Sequence, residues 1–283
     1  DSETETFLIQ LKDPVNAKIS PEHGEARGTI IDDDPRPSVV RAYSDDKYNG
    51  AHKAGDTIPI YIEFNTPVLL DGTITLTLET GSEDEEIPIN DGDISNTMTF
   101  LYEIKPDQNS LALDAIHPTQ STAPLRLKGT LQDEHSNDAD LTLPYPGNPG
   151  SLSANNRIVI DTIPPAFVNI SGYPTGTVKD TQATLTVSGN DVEAYRYKLN
   201  SDSYSSVKLI KDTPSFTVSS GLEEGFNTVS VIGRDAAGNW QDEESPTTVT
   251  WKMDTTEPSI LGISSSDIPV KSKTWNWSAD EPA

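Results

Sequence analysis

Cysteine is absent from the chain, which excludes a disulfide scaffold, a thiolate zinc site and an iron–sulfur cluster. Histidine is scarce. His23, His52, His117 and His135 each fall in an expected loop, and none has the His-Glu-x-x-His spacing of a zinc hydrolase. Cationic side chains are also few, 20 Lys+Arg against 45 Asp+Glu, for a formal net charge of −25. Nucleic acid and anionic membrane surfaces are therefore poor partners, because phosphates are read by Lys and Arg. Divalent cations are good ones, although plain solubility accounts for an acid excess as simply. No run approaches the roughly 20 apolar residues of a membrane span, so no membrane insertion is expected within this segment. Nor is there a Gly-x-Ser-x-Gly elbow, a P-loop or a dinucleotide fingerprint. Acid pairs such as Glu85-Glu86 and Glu243-Glu244 are sequence neighbours, which on a strand point to opposite faces and do not make a glycosidase pair. The chain is not expected to be an enzyme.

What is present is a recurring phrase: an apolar β-branched run that meets acid and then proline. It reads Ile30-Ile31-Asp32-Asp33-Asp34-Pro35, then Val159-Ile160-Asp161-Thr162-Ile163-Pro164-Pro165, then Lys252-Met253-Asp254-Thr255-Thr256-Glu257-Pro258. Such a phrase marks a terminal strand leaving its sheet. Three of them divide the chain into 1–34, 35–162, 163–255 and 256–283. The first and last pieces open and stop in the middle of β patterns, so the sequence is expected to be part of a longer protein.

Period-two alternation dominates. Ile58, Ile60, Ile62 and Phe64 alternate with Thr57, Pro59, Tyr61 and Glu63, as Ile74, Leu76 and Leu78 do with threonines. This predicts half-buried antiparallel strands. In the second piece the strands are expected at 38–43, 57–64, 73–79, 86–89, 97–104, 124–131 and 157–160. In the third they are expected at 167–171, 183–188, 194–199, 206–210, 215–218, 227–234 and 247–252. Asn49-Gly50, Asp71-Gly72, Asp91-Gly92 and Pro146-Gly147 read as turns. Seven short strands with frequent turns predict an all-β chain of tandem Ig-like or cadherin-like antiparallel β-sandwiches, arranged as an elongated array. Trp240, Trp251, Trp275 and Trp277 with Tyr195, Tyr197 and Tyr204 are expected to pack sheets, with a sugar-stacking platform as the alternative.

Residues 1–34 resemble the end of a Calx-β domain. The resemblance rests on Glu5-Thr6-Phe7, the hairpin around Asn16-Ala17 and Glu22-Gly24, and the closing Gly28-Thr29-Ile30-Ile31-Asp32-Asp33-Asp34. It implies that the acidic triplet belongs to a calcium cluster. The second piece resembles the cadherin-like or Ig-like repeats of giant bacterial surface proteins. It does so through Tyr48-Asn49-Gly50, Ala54-Gly55-Asp56-Thr57-Ile58, Leu76-Thr77-Leu78-Glu79-Thr80-Gly81, and Gly150-Ser151-Leu152 leading to Ile158-Val159-Ile160-Asp161-Thr162. The third resembles a bacterial Ig-like repeat, on Gly233-Arg234-Asp235-Ala236-Ala237-Gly238-Asn239 and its acidic exit. Where such relatives carry an Asp-x-x-Gly-Asn turn, the second piece has Asp133-Glu134-His135-Ser136-Asn137-Asp138.

In a sandwich the incoming linker and alternate loops share one pole. Asp161 is thereby expected near Asn190, Asp191, Asp235 and Asn239, and Asp32, Asp33 and Asp34 near Asp91, Asp93 and Asp133, with Asp254 opening a further joint. Oxygen ligands from separate loops suit Ca²⁺; Asx-turns account for the same residue types. The expected function is a calcium-stiffened structural segment of a large secreted bacterial cell-surface protein. It would be an adhesin stalk or filament supporting adhesion or biofilm, with neighbouring copies or a cell-surface glycan as partners. The alternatives are a glycan- or protein-binding adhesin module and an accessory region of an extracellular hydrolase.

Overall fold

The computed structural model describes residues 5–30, 36–90, 92–118, 122–264 and 276–279, and it divides into two compact units, Asp1–Ile163 and Pro164–Ala283. Each is an Ig-like antiparallel β-sandwich.

The first unit opens with a hairpin of β1 (Glu5–Gln10) and β2 (Glu25–Ile30), paired from Glu5↔Ile30 to Gln10↔Glu25. Gly28 faces Phe7, whose ring occupies the space a Cβ on Gly28 would need. The sandwich follows: β3 (Val39–Tyr43), a 3₁₀ turn, β4 (Gly50–His52), β5 (Thr57–Leu78), β6 (Glu85–Asn90), β7 (Ser95–Glu103), β8 (Leu125–Gln132), a one-turn helix α1 (Leu152–Asn155) and β9 (Ile158–Ile160). Strand β5 organises the unit. Its first half lies between β3 and β7, and its second half between β6 and β8. The register shifts between Glu63 and Val68, where the strand passes from one sheet to the other. Ile58, Ile60, Ile62, Ile74 and Leu78 on β5 are fully buried in one core with Phe100 and Tyr102 of β7. Burying each such aliphatic side chain contributes about 1.5–3 kcal/mol.

Two strands expected at 57–64 and 73–79 are thus one, and the turn expected at Asp71-Gly72 does not form. Gly72 instead pairs with Gly129 of β8 in mid-sheet, with φ of +119° and +127°. A Cβ on Gly72 would lie 2.2 Å from the Lys128 carbonyl oxygen, and one on Gly129 would lie 2.1 Å from that of Asp71. The two glycines permit a backbone approach that no side chain tolerates.

The second unit contains β10 (Asn169–Ser171), β11 (Thr177–Val178), β12 (Ala183–Ser188), β13 (Ala194–Leu199), β14 (Lys208–Leu209), β15 (Ser215–Val218), β16 (Gly225–Arg234) and β17 (Thr247–Met253). A hairpin of β18 (Ile260–Ser264) and β19 (Asn276–Ala279) follows. A three-stranded sheet, β10-β12-β15, faces a five-stranded one, β11-β17-β16-β13-β14. Leu185, Tyr195, Phe216, Val229, Val231 and Trp251 fill the space between them. Tyr197 stacks on Phe216 at 3.7 Å between centroids, and burial pushes the Tyr195 hydroxyl up to about 12. Trp251, Tyr195 and Tyr197 are therefore packing residues. Trp275 lies outside the described residues, as does the side chain of Trp277.

Both sandwiches end alike. Strand β9 runs parallel to β4, and β17 parallel to β11. The exit acids then repeat one hydrogen bond: the Asp161 amide donates to the His52 carbonyl, and the Asp254 amide to the Val178 carbonyl, both at 2.9 Å. The repeated phrase in the sequence is one structural device used twice.

Candidate metal centre

The two Asp-x-x-x-Asn loops, 133–137 after β8 and 235–239 after β16, are built on one plan. The first and fifth residues of each close the loop with an amide-to-carbonyl bond, Asp133 to Asn137 and Asp235 to Asn239, both 3.2 Å. The flanking residues pair across it as Gln132↔Asp138 and Arg234↔Trp240. Asp133 Oδ1 accepts from the amides of His135 and Asn137, each at 2.9 Å, and Oδ2 accepts from Asn137 Nδ2 at 3.2 Å. Asp235 Oδ1 accepts from the amides of Gly238 and Asn239 at 2.7 and 2.8 Å, and Oδ2 from Asn239 Nδ2 at 2.8 Å. The fourth position takes a left-handed backbone in both, φ +98° at Gly238 and +68° at Ser136. Ser136 therefore occupies the place of the turn glycine and the loop still closes, with one donor changed: the third-position amide of His135 serves Oδ1 where the fourth-position amide of Gly238 does so in the other loop. Asn137, not singled out from the sequence, is the buried partner of Asp133; the shared i, i+4 spacing is the signal that reveals it.

These bonds set the electrostatics. Burial of Asp133 works to raise its carboxyl, but the donors of Asn137 and His135 outweigh it and hold the group below the usual carboxylate range. Asp235 is fully buried, and among the described residues no Lys or Arg forms an ion pair with it. A carboxylate oxygen can accept from more than one group, so Oδ2, which takes Asn239 Nδ2, can also serve a cation.

Within the second unit, the β12–β13 loop supplies that neighbour. Asp191, exposed and left-handed at φ +60°, places a carboxylate oxygen within 4.8 Å of one from Asp235. Asn190 precedes it in the same turn, and Asn239 is the hydrogen-bond partner of Asp235. Two carboxylates this close repel unless a cation or proton intervenes, and hard oxygen donors from separate loops are the donor set of Ca²⁺. Asp161 closes the first unit, with its Oδ1 accepting from the Ile163 amide at 3.1 Å, three residues before the second unit begins at Pro164.

The other expected ligands divide three ways. Asp32, Asp33, Asp34 and Asp91 lie outside the described residues. Asp93 is exposed in the β6–β7 connection, and Asp133 carries the loop bonds above. Asp254 pairs with Lys252 at 3.1 Å.

No family model matches the chain, and no curated protein is similar to it in sequence. Among solved structures, that of a 1.5-MDa bacterial ice-binding adhesin is 13% identical, covering 82% of this chain and 70% of its own at a TM-score of 0.41. The fibronectin(III)-like modules of Clostridium thermocellum CbhA are 13% identical, covering 75% and 93%, TM-score 0.29. A two-domain fibronectin type-III segment of chicken tenascin is 12% identical, covering 77% and 99%, TM-score 0.26.

Proposed function

We propose that this chain is a non-catalytic structural segment of a large extracellular bacterial surface protein, an adhesin stalk or filament, stiffened by Ca²⁺ at its joints. One observation carries the reading: the buried Asp235 and the exposed Asp191 converge at one end of the second unit, and no Lys or Arg among the described residues pairs with Asp235. A buried carboxylate without a counter-charge is destabilising, and a divalent ion shared with Asp191 removes both the repulsion and the unpaired charge. Chain connectivity supports Asp161 as a third ligand. Three residues of extended chain span at most about 11 Å, so the exit acid of one unit stays within reach of the start of the next. The duplicated exit at Asp254 supports a repeated joint rather than an isolated site.

Calorimetric titration with Ca²⁺ tests the reading on the whole chain. Wild type is expected to bind, with Asp161→Asn, Asp191→Asn and Asp235→Asn each weakening the affinity, since fewer charged ligands weaken such sites. Equal affinity in all four proteins would leave these acids as turn residues and remove the joint.

A further inference from the structure

Cations are scarce in this chain, yet the outer face of the five-stranded sheet in the second unit gathers several. Tyr195 and Tyr197 of β13 point into the core, so Arg196 and Lys198 project from the opposite face. The Arg196 guanidinium lies 4.6 Å from the centre of the Trp240 ring, and the Lys198 ammonium 4.8 Å from that of Tyr204. Arg234 also borders Trp240, at 5.6 Å, but it is committed to Glu193 at 3.3 Å. Arg196 and Lys198 have no carboxylate within 4 Å among the described residues. Glu243 and Glu244 act on Tyr204 from the β16–β17 loop without pairing with either cation. Aromatic rings thus hold two uncommitted cations on one strand, two residues apart, which places successive same-face positions about 7 Å from each other.

The first unit carries the complementary charge. A cleft of about 640 Å³ is lined by Glu83, Asp84 and Asp107 beside the Lys105–Glu85 pair. Glu83, Asp84 and Asp107 have no cationic partner within 4 Å among the described residues. Burial, with Glu79 nearby, holds the Asp84 carboxyl above its ordinary range; an incoming cation would relieve that.

We propose that the Arg196/Lys198 face of one copy docks into the Glu83/Asp84/Asp107 cleft of a second copy. The two surfaces differ, so the contact is heterologous and each bound pair still offers one free face and one free cleft, which is the condition for linear growth. The proposal deepens the structural reading above by naming the partner, and it does not involve the calcium ligands. It is therefore tested in chelator, where its failure and that of the calcium joint are separate.

The experiment is sedimentation equilibrium of the full chain at about 0.01 M salt, where the screening length is about 30 Å, and at about 1 M, where it is about 3 Å. The average mass is expected to rise with concentration above the 30.7 kDa of one chain at low salt and to stay there at high salt. Arg196→Glu/Lys198→Glu and Glu83→Lys/Asp84→Lys, each confirmed folded by circular dichroism, are each expected to weaken association at least about tenfold. An equimolar mixture of the two variants is expected to associate again, because each restores the charge match the other lost. A chain that stays monomeric at low salt, a reversal without effect, or a mixture that fails to associate overturns the proposal.

Discussion

Ser136 shows how one side chain can depart from a pattern while the loop still closes. It takes φ +68° where the matching loop has Gly238, and a non-glycine residue there carries about 1–2 kcal/mol of left-handed strain. Its neighbours Asp133 and Asn137 make the loop bonds regardless. Ser136→Gly is therefore expected to stabilise the first unit by about 0.5–1 kcal/mol net of the extra flexibility of unfolded glycine, read as an upward shift in thermal melting. The Asp133 carboxylate gives a second test. Its folded value lies below the unfolded one, so the stability it contributes is present above about pH 4 and is lost as pH falls through the folded value. Asp140, lowered by the Thr142 hydroxyl and amide, loses its contribution in the same acid window. Asp133→Asn is expected to flatten the acid limb of stability against pH in part, leaving the share of Asp140, as measured by urea unfolding at pH 3 to 6.

At the scale of elements, most strands were legible because alternation is a direct image of burial. Ile58 to Phe64 on β5 and Ala183 to Ser188 on β12 read correctly since one face of each meets a core. The pairing segments β4 and β11 were not legible: two or three residues, Thr177-Val178 or Gly50-Ala51-His52, are too few to show a period. Asp71-Gly72 misled for a different reason. The same dipeptide serves a tight turn or a close backbone crossing, and only its partner Gly129, more than fifty residues away, decides between them. The site was legible as a set of loop acids. What sequence could not distinguish was an acid consumed by its own loop, Asp133, from one with a carboxylate neighbour in another loop, Asp235 beside Asp191, because that depends on which loops meet. The crossing is testable. Gly72→Ala or Gly129→Ala would bring a Cβ within 2.2 Å or 2.1 Å of backbone oxygen, so each is expected to destabilise the first unit by at least about 2 kcal/mol. Gly92→Ala, where a Cβ meets nothing within 4 Å, is expected to stay within about 0.5 kcal/mol of wild type. Denaturant midpoints compare the three, and equal midpoints would show that β5 and β8 separate there without penalty.

For the whole molecule, the acid excess and the duplicated exits bear on one question: what sets the freedom between units. A net charge of −25 opposes close approach of acidic loops and linkers, and salt screens that opposition only beyond about 8 Å at physiological strength. Acids a few ångströms apart, such as Asp191 and Asp235, are not relieved by monovalent salt. A bound divalent ion relieves them directly, and at 100 times its dissociation constant it adds about 2.7 kcal/mol to the folded state. Within each sandwich the cores of Ile60 and Leu76, or Val229 and Trp251, are held by apolar packing that no ion touches. If Ca²⁺ occupies the joints as proposed, removing it acts on the joints and their loops first. Secondary structure by circular dichroism should persist in chelator. Rotational diffusion of a probe on the second unit should become faster, as that unit tumbles more independently, and the lower-melting transition should move down. Asp161→Asn in saturating Ca²⁺ should reproduce part of the faster tumbling without chelator. Identical tumbling and melting with and without calcium would mean that the linker, with Pro164 and Pro165, sets the stiffness by chain geometry alone.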